Sequence, residues 1–320
     1  MYASYFCTLT RLRPCQEYLN RPTAQAHWWE SPNENVLGGR DLLRKEQGTW
    51  LGITKQGRIA VLTNFREDGP MNLEARSRGA MVIAFLIQAT DSGANTENFV
   101  KSLVEGESMK GVGGFSLVCG RVGEPFAVIS NRASNVECIP WIAKDKGETV
   151  GLSNAAFDDR SWFKVLRGEE LLFAAIKSSV AQQDSKASLI DDMFHLLSDD
   201  TLPKRSEGRM WDSYLMELRN SIFIPAIRED GMDDMSADDL AAATSNQPVN
   251  VENATKKTEH SDGLSGVYGT QRQTVVLVDH HGRVTFVERN LYDATGRATS
   301  AERSGRDRRF EFNIDGRNKM

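Results

Sequence analysis

The chain has 320 residues, of which 40% are hydrophobic and 26% are charged, and its formal net charge is −5. This balance is typical of a soluble globular protein, and the acidic net charge gives no reason to expect a nucleic acid as a partner. No run approaches the ~18 consecutive apolar residues that span a membrane, and the four cysteines lack metal-ligand spacing, so we predict a cytoplasmic chain with reduced thiols and no transmembrane segment.

The N-terminal part of the chain is predicted to be rich in strands. Residues 1–16 match no regular element. Gly38 and Gly39 indicate a turn. Residues 49–53 and 58–64 are apolar and flank a turn that contains glycine, so they predict a β-hairpin.

The middle of the chain is predicted to contain helices and a second hairpin. Ser77 is expected to cap a helix in which Val82 and Phe85 recur at helical spacing. Asn95 or Thr96 is expected to start the next helix. The remaining elements of this part are a hairpin of residues 115–120 and 125–130, and two helices over residues 159–180 and 189–197.

The C-terminal part is predicted to return to strands. Residues 274–278 and 284–288 form a predicted hairpin around a turn at 279–282, and residues 309–314 form a last strand with alternating apolar positions. Residues 229–262 are acidic and polar without periodicity, so they predict a disordered insertion that buries too little apolar surface to fold. Strand pairs on both sides of a helical middle predict an α+β layered fold.

Seven short strings occur in an order that resembles the NRDE family. They are Arg-Pro-Thr at 21–23 with His-Trp-Trp at 27–29, Gly-Gly-Arg-Asp at 38–41, Gly-Thr-Trp-Leu-Gly at 48–52, Leu-Thr-Asn-Phe-Arg at 62–66, Ser-Arg-Gly at 77–79, Gly-Leu-Ser-Asn at 151–154 and Tyr-Gly-Thr-Gln-Arg at 268–272. Each string alone is a weak signal, but seven in one order are specific. The resemblance covers Glu17 to Tyr292, which is nearly the whole chain.

The resemblance implies a fold similar to that of the N-terminal nucleophile hydrolases, which is a four-layer αββα sandwich. It predicts a single domain over residues 17–320, with an atypical N-terminus over residues 1–16 that makes the first strand doubtful. The family signature Asn-Arg-Asp-Glu falls on residues 14–17, where Glu17 alone matches. Tyr2 stands where the family carries a cysteine.

Tyr2 decides which chemistry is expected. An N-terminal nucleophile enzyme uses a terminal Cys, Ser or Thr, and the α-amino group of that residue serves as the base. Tyrosine does not replace this nucleophile in acyl transfer, so the chain as written is expected to lack the activity. If the true start carries a cysteine in place of Tyr2, the alternative is an N-terminal cysteine amidohydrolase or acyltransferase.

The resemblance also suggests which side chains form a ligand site. Asn64 and Asn154 are the candidate oxyanion donors, while Arg66 and Arg272 would hold a carboxylate or a phosphate through bidentate contacts. Asn131, at the end of a predicted strand, is a further ligand-binding candidate. The alternative is that these asparagines stabilise turns, where Asn commonly bonds to the nearby backbone.

The histidines are predicted to have structural roles. His27 stands beside two tryptophans and is expected to be a packing residue rather than a haem ligand. His280 and His281 are adjacent, so their rings are expected to point apart, and no third ligand is near in sequence. We therefore predict no metal site and no resident cofactor, with haem binding left as an alternative.

The resemblance implies a role in Golgi organisation and protein secretion. The molecular activity that follows is binding of a small amphipathic ligand, such as an acyl-CoA or haem, in a vestigial nucleophile cleft. The expected location is the cytoplasm, with association to the Golgi or endoplasmic reticulum, or to mitochondria, as alternatives. A further hypothesis is a secretory-pathway interaction protein whose segment 229–262 recruits protein partners.

Overall fold

In a computed structural model of the chain, the described residues are 5–6, 16–64, 77–88, 95–109, 111–204, 211–228, 267–292, 299 and 307–316. The predicted insertion at 229–262 lies outside the described residues, as does most of the segment 1–16. No helix of the described ranges is long and apolar enough to cross a membrane.

The described residues form fourteen strands and five α-helices. The strands are β1 (Tyr5–Phe6), β2 (Gln16–Tyr18), β3 (Thr23–Trp28), β4 (Val36–Asp41), β5 (Leu51–Thr54), β6 (Arg58–Asn64), β7 (Phe115–Arg121), β8 (Phe126–Ser130), β9 (Trp141–Ile142), β10 (Ile227–Arg228), β11 (Val267–Thr270), β12 (Arg272–Asp279), β13 (Arg283–Asn290) and β14 (Asp307–Asn313). The helices are α1 (Gly79–Leu86), α2 (Thr96–Glu105), α3 (Phe163–Gln182), α4 (Lys186–Leu197) and α5 (Trp211–Leu215). Two short 3₁₀ helices span Val136–Cys138 and Met216–Asn220.

The strands are arranged in three antiparallel sheets. The largest has seven strands in the order β3-β4-β5-β6-β7-β8-β9, so each strand pairs with its neighbour in sequence. A second sheet has the order β1-β12-β13-β14, and a small third sheet has the order β10-β11-β2. The strand that the sequence left doubtful is short: β1 pairs with β12 over two residues, while β2 pairs with β11.

Three hydrophobic clusters define four layers. The first joins α1 and α2 to the outer face of the seven-stranded sheet and includes Phe85 and Phe115. The second lies between the seven-stranded and the four-stranded sheets and includes Phe286. The third joins the outer face of the four-stranded sheet to α3 and α4 and includes Phe194. The order helix, sheet, sheet, helix confirms the predicted α+β fold with an αββα sandwich.

The alternation of side chains along each strand produces these layers. In β12, Val276 contributes to the cluster between the sheets, whereas Val275 and Leu277 contribute to the cluster under α4. Successive side chains of a strand point to opposite faces, so a strand that is apolar at every position is buried on both sides. The antiparallel pairing of β12 with β13 confirms the predicted hairpin with its turn at 279–282.

The predicted turn at Gly38 and Gly39 is wrong, because both residues lie inside β4. A Cβ atom on Gly38 would lie 2.6 Å from Leu51 O, and one on Gly39 would lie 2.9 Å from Ala24 O. Real Cβ atoms do not approach backbone oxygens so closely. The glycines are thus explained by the close approach of β3 and β5 to β4, not by a reversal of the chain.

One of the two predicted helix starts is confirmed. Asn95 caps α2, since its Oδ1 accepts a hydrogen bond from Asn98 N at 2.7 Å. The predicted cap of α1 by Ser77 is wrong: the N-cap residue is Arg78, and no side chain caps this end. Ser77 instead contributes its backbone oxygen, which accepts from Ala80 N.

Candidate functional site

A small cavity lies between the two larger sheets, where β12 and β13 meet β3 and β4. Its volume is about 60 Å³, which is room for a few water molecules or for one group of the size of a carboxylate or phosphate. Its walls are formed by Ala24, Gly39, Arg40, Thr49, Trp50, Leu51, Arg272, Thr274, Phe286 and Glu288.

A local separation of β4 from β5 accompanies the cavity. The paired register of these strands ends at Gly38 and Gly52, and Gly39 follows beyond the last pair. A Cβ atom on Gly39 would lie 2.9 Å from Ala24 O and 3.9 Å from Glu288 Oε2. A side chain at this position would therefore press on β3 and fill space beside the Glu288 carboxylate.

Arg272 connects the two sheets at the cavity wall. Its Nε donates to Asn290 Oδ1 at 2.9 Å, and its Nη1 and Nη2 donate to Ala24 O and Thr23 O at 3.2 and 3.3 Å. These three hydrogen bonds hold the guanidinium in one orientation. Arginine has five N–H groups, so one on each Nη atom has no partner among the described residues and remains for a ligand.

Glu288 places a carboxyl group in the interior beside this guanidinium. The residue is 6% exposed, and its Oε1 accepts a hydrogen bond from Ala26 N at 2.8 Å. Burial raises the pKa of Glu288, while the charge of Arg272 and the hydrogen bond from Ala26 act in the opposite direction. Its Oε2 makes no hydrogen bond with any described residue, so a ligand group can contact this oxygen.

Arg40 supplies a second cation. Its guanidinium lies over the ring of Trp29 at 4.2 Å from the centroid, and its Nη2 donates to Gln47 Oε1 at 3.5 Å. Desolvation lowers the pKa of Arg40, yet an arginine stays charged at neutral pH. Its Nε is buried and has no hydrogen-bond partner in the described part of the chain. Arg40 is thus a stacked cation with an unused donor.

A buried ion pair supports the end of β4 next to the cavity. Arg21 Nη2 donates to Asp41 Oδ2 at 2.8 Å and Arg21 Nε donates to Asp41 Oδ1 at 3.2 Å. The same guanidinium lies 5.5 Å from the centroid of the Trp50 ring. This bidentate pair joins the Arg-Pro-Thr string to the Gly-Gly-Arg-Asp string and holds the backbone of β4 next to Arg40.

The three predicted asparagines lie around the start of β7. Asn64 ends β6 and pairs with Phe115 in the sheet register. Asn131 follows β8, and its Oδ1 accepts a hydrogen bond from Phe115 N at 3.4 Å. Asn154 precedes the residue whose carbonyl accepts from the hydroxyl of Ser116. The fold therefore brings these asparagines together, although their predicted role as oxyanion donors stays a prediction.

Arg272 lies at the same end of the seven-stranded sheet as the three asparagines, but it is several strands away from them. In this antiparallel sheet the start of β3, the end of β4, the end of β6 and the start of β7 share one end. Arg272 contacts the start of β3, whereas Asn64 and Asn131 lie at β6 to β8. Arg66 lies outside the described residues, so its predicted place beside them stays a prediction.

The residues of the predicted nucleophile chemistry also lie outside the described residues. This holds for Tyr2, Cys7 and Cys15, so the hydrolase alternative stays a prediction, as does the partner-recruiting role of residues 229–262. Of the cysteines that are described, Cys138 is exposed and Cys119 is buried. Burial strongly raises the pKa of the Cys119 thiol, which makes it an inert core residue.

The predicted divergence of the His280 and His281 rings is wrong. Their ring centroids lie 3.7 Å apart. Both residues lie in the turn after Asp279, where the alternation of a strand does not apply. Across the described ranges, no group of three or more potential metal ligands occurs. His27 Nδ1 donates to Gln25 O at 2.7 Å, and the residue is half-exposed on β3.

Two residues of the cavity, Glu288 and Arg40, were missed by sequence reasoning. A signal for Glu288 was present: it continues the inward-facing positions Val284 and Phe286, so a charge there must lie between the sheets. The role of Arg40 was hidden because Gly38 and Gly39 were interpreted as a turn.

Comparisons with known proteins agree with the resemblance found in the sequence. The family model described as Transport and Golgi organisation 2 matches residues 9–293. The transport and Golgi organization protein 2 homolog of Bos taurus is 30% identical over 277 residues, which is 86% of this chain and 83% of the relative. The homolog of Homo sapiens is 30% identical over 284 residues, which is 87% of this chain and 84% of the relative. An uncharacterized protein of Saccharomyces cerevisiae is 27% identical over 319 residues, which is 93% of each chain.

Proposed function

The chain belongs to the Transport and Golgi organisation 2 family, and from this we propose that it acts in Golgi organisation and protein secretion by binding a small amphipathic ligand. The location that follows is the cytoplasm with association to the Golgi or endoplasmic reticulum. The family relationship supports the cellular role. The cavity between the sheets supports the molecular one.

The observation on which the ligand proposal rests is the pairing of two arginines with apolar walls. Arg40 and Arg272 both have N–H groups without a described partner, and Trp50, Leu51 and Phe286 supply apolar surface in the same cavity. Ligand sites commonly combine mostly apolar walls with a few convergent polar groups. An anionic group attached to an apolar body fits this combination.

The size of the cavity limits how such a ligand binds. About 60 Å³ is well below the ~300–1,000 Å³ of pockets that enclose a drug-sized molecule. A whole acyl-CoA or haem does not fit between the described walls. In our proposal a carboxylate or phosphate enters the cavity, and the apolar body lies along the end of the sheet towards Asn64 and Asn131.

The charges of the cavity favour an anion but also limit its affinity. Two arginines give a charge of +2, and the Glu288 carboxylate opposes an anion when it is ionised. The raised pKa of Glu288 reduces this opposition, because part of the population is neutral at a pH where an exposed glutamate is fully charged. Removal of the Glu288 charge is therefore expected to strengthen anion binding.

Isothermal titration calorimetry with palmitoyl-CoA and with haem tests the proposal. Arg40→Met is expected to weaken binding about tenfold, consistent with loss of one charged hydrogen bond. Glu288→Gln is expected to tighten it, and Arg283→Met, which removes an exposed cation far from the cavity, is expected to leave it unchanged. If neither compound binds, or if all three variants bind equally, the ligand proposal is wrong.

A further inference from the structure

The cavity between the two larger sheets contains one acid in a wall that is otherwise uncharged or positive. Among its described wall residues, Glu288 is the acid, and Arg40 and Arg272 are the cations. A volume of about 60 Å³ leaves room for one oxyanion. Any anion that enters the cavity therefore lies next to the carboxyl group of Glu288, and the charge of that group affects how tightly the anion binds.

The two oxygens of the Glu288 carboxyl group have different environments. Oε1 accepts the hydrogen bond from Ala26 N at 2.8 Å, which gives it a structural role at the edge of β3. Oε2 has no hydrogen-bond partner among the described residues. A Cβ atom on Gly39 would lie 3.9 Å from Oε2, so this oxygen borders the space that the glycine leaves open. The structural role of Oε1 thus leaves Oε2 available to gain a proton.

The charged groups around Glu288 are cations or can become cations. Burial is the main influence on the pKa of this carboxyl group and raises it. The charges of Arg272 on β12, Arg308 on β14 and His27 on β3 act in the opposite direction. On β4, Arg40 lines the same cavity, and the wall residues on β5 are uncharged. No second acid in the described wall shares a proton with Glu288.

A bound anion changes the balance between the two forms of Glu288. Two negative charges that share one small site are not both stable, so one of the two groups gains a proton. The anion also occupies N–H groups of the arginines, whose charge favours an ionised Glu288 in the free protein. Both effects favour the neutral carboxyl group, whose O–H group is a hydrogen-bond donor.

Resting on the anion site of the proposed function, we propose that the cavity binds a ligand oxyanion together with one proton, which Glu288 takes from the solvent at Oε2. The neutral carboxyl group donates its O–H to the oxyanion, and Arg40 and Arg272 donate N–H groups to it. A ligand is then held more tightly as the pH falls and is released as the pH rises. A carboxylate and a phosphate share this chemistry.

Isothermal titration calorimetry in two buffers of equal pH but different ionisation enthalpy counts the protons that are taken up. The probes are palmitoyl-CoA, which carries phosphates, and palmitate, which carries a carboxylate. With each ligand that binds, the wild type is expected to take up more protons than Glu288→Gln, by up to about one. The titration of the ligand itself is common to both proteins, so the difference belongs to the side chain at position 288.

The same titrations at a series of pH values test the release. Between about pH 5.5 and pH 8.5, the affinity of the wild type is expected to fall with pH more steeply than that of Glu288→Gln, by up to about tenfold per pH unit. The two affinities should converge at low pH. His27→Gln is expected to keep the wild-type behaviour, although histidine is a group that can gain a proton in this range. Glu311→Gln, which removes a carboxylate outside the cavity wall, should also behave as the wild type does.

Infrared difference spectroscopy of the wild type gives a readout without any variant. Because palmitoyl-CoA has no carboxyl group, its binding should replace a carboxylate band of the protein with a band of a protonated carboxyl group. Circular dichroism establishes that each variant is folded.

The possible failures are distinguishable. If neither ligand binds, the anion site and the proton-linked binding are both wrong. If a ligand binds with equal proton uptake in the wild type and Glu288→Gln, or without the infrared change, only the proton-linked binding is wrong. If the extra proton is lost in His27→Gln, it belongs to His27 and the role of Glu288 is wrong.

Discussion

Two glutamates on neighbouring strands of one sheet have opposite environments. Glu288 of β13 is buried between the sheets, where burial raises its pKa. Glu311 of β14 lies near the surface and accepts hydrogen bonds from Arg309, Lys186 and Arg283, which lower its pKa to about 2. A glutamate side chain is thus ionised less easily than in water at position 288 and more easily than in water at position 311.

The difference shows which carboxylate is available to a ligand. Three cations contact Glu311 directly, so its charge is already satisfied. Glu288 has one backbone N–H group on Oε1 and none of the described hydrogen bonds on Oε2. A charged group that stays buried without a full set of partners is a candidate for function, whereas a fully paired surface group stabilises the fold weakly.

The largest expected effect comes from removing the cation next to the buried carboxylate. Arg272→Met is expected to lower the free energy of unfolding by about 3 kcal/mol, because two backbone carbonyls of β3 lose a charged donor and Glu288 loses a neighbouring positive charge. Urea unfolding followed by circular dichroism measures this change. Arg283→Met removes an exposed cation of the Glu311 cluster and is expected to cost less than about 1 kcal/mol. Equal losses in both variants would contradict the comparison.

A smaller effect is expected when the charge of Glu288 alone is removed. A raised pKa means that the folded state binds more protons than the unfolded state above the ordinary pKa of 4.5. The contribution of Glu288 to stability is therefore full below this pH and is lost as the pH rises through the folded pKa. Glu288→Gln lacks this loss, so its stability relative to the wild type is expected to rise with pH.

Urea unfolding of both proteins between pH 4 and pH 8 measures this dependence. The two stability curves should diverge as the pH increases above about 4.5, the unperturbed value for a glutamate. Parallel curves over the whole range would show that Glu288 titrates as an exposed glutamate does. Gln keeps the oxygen that accepts from Ala26 N, so the variant is matched in shape and in this hydrogen bond.

The sequence predicted those parts of the fold whose signals are local. The hairpin of β12 and β13 combines β-branched residues with a turn that ends at Gly282, and both features act within a few residues. Strand β4 was missed because the reason for Gly38 and Gly39 lies on β3 and β5, far away in the chain. A glycine required by a close neighbouring strand cannot be distinguished from a turn glycine without the sheet order.

In the candidate site, too, the sequence predicted one part and missed the parts that depend on residues far away in the chain. The family resemblance pointed to Arg272, and the structure places it on the cavity. The meeting of Asn64 with Asn131 depends on the pairing of β6, β7 and β8, which no spacing in the sequence reveals. Glu288 was predictable in principle, since it continues an inward-facing apolar row, but its hydrogen-bond partner Ala26 is 262 residues away.

The smallest expected effect is that of neutralising Glu311, and its sign is opposite to that of Glu288. A lowered pKa means that Glu311 contributes stability above pH 4.5, which is lost as the pH falls towards about 2. Glu311→Gln is therefore expected to cost up to about 1 kcal/mol at pH 7, where Arg283, Arg309 and Lys186 lose their shared anion. This difference should shrink between pH 4.5 and pH 3 in thermal unfolding experiments, and it should also shrink in high salt because the cluster is exposed. A difference that stays constant with pH would mean that the shape of the side chain, rather than its charge, holds β14 to α4.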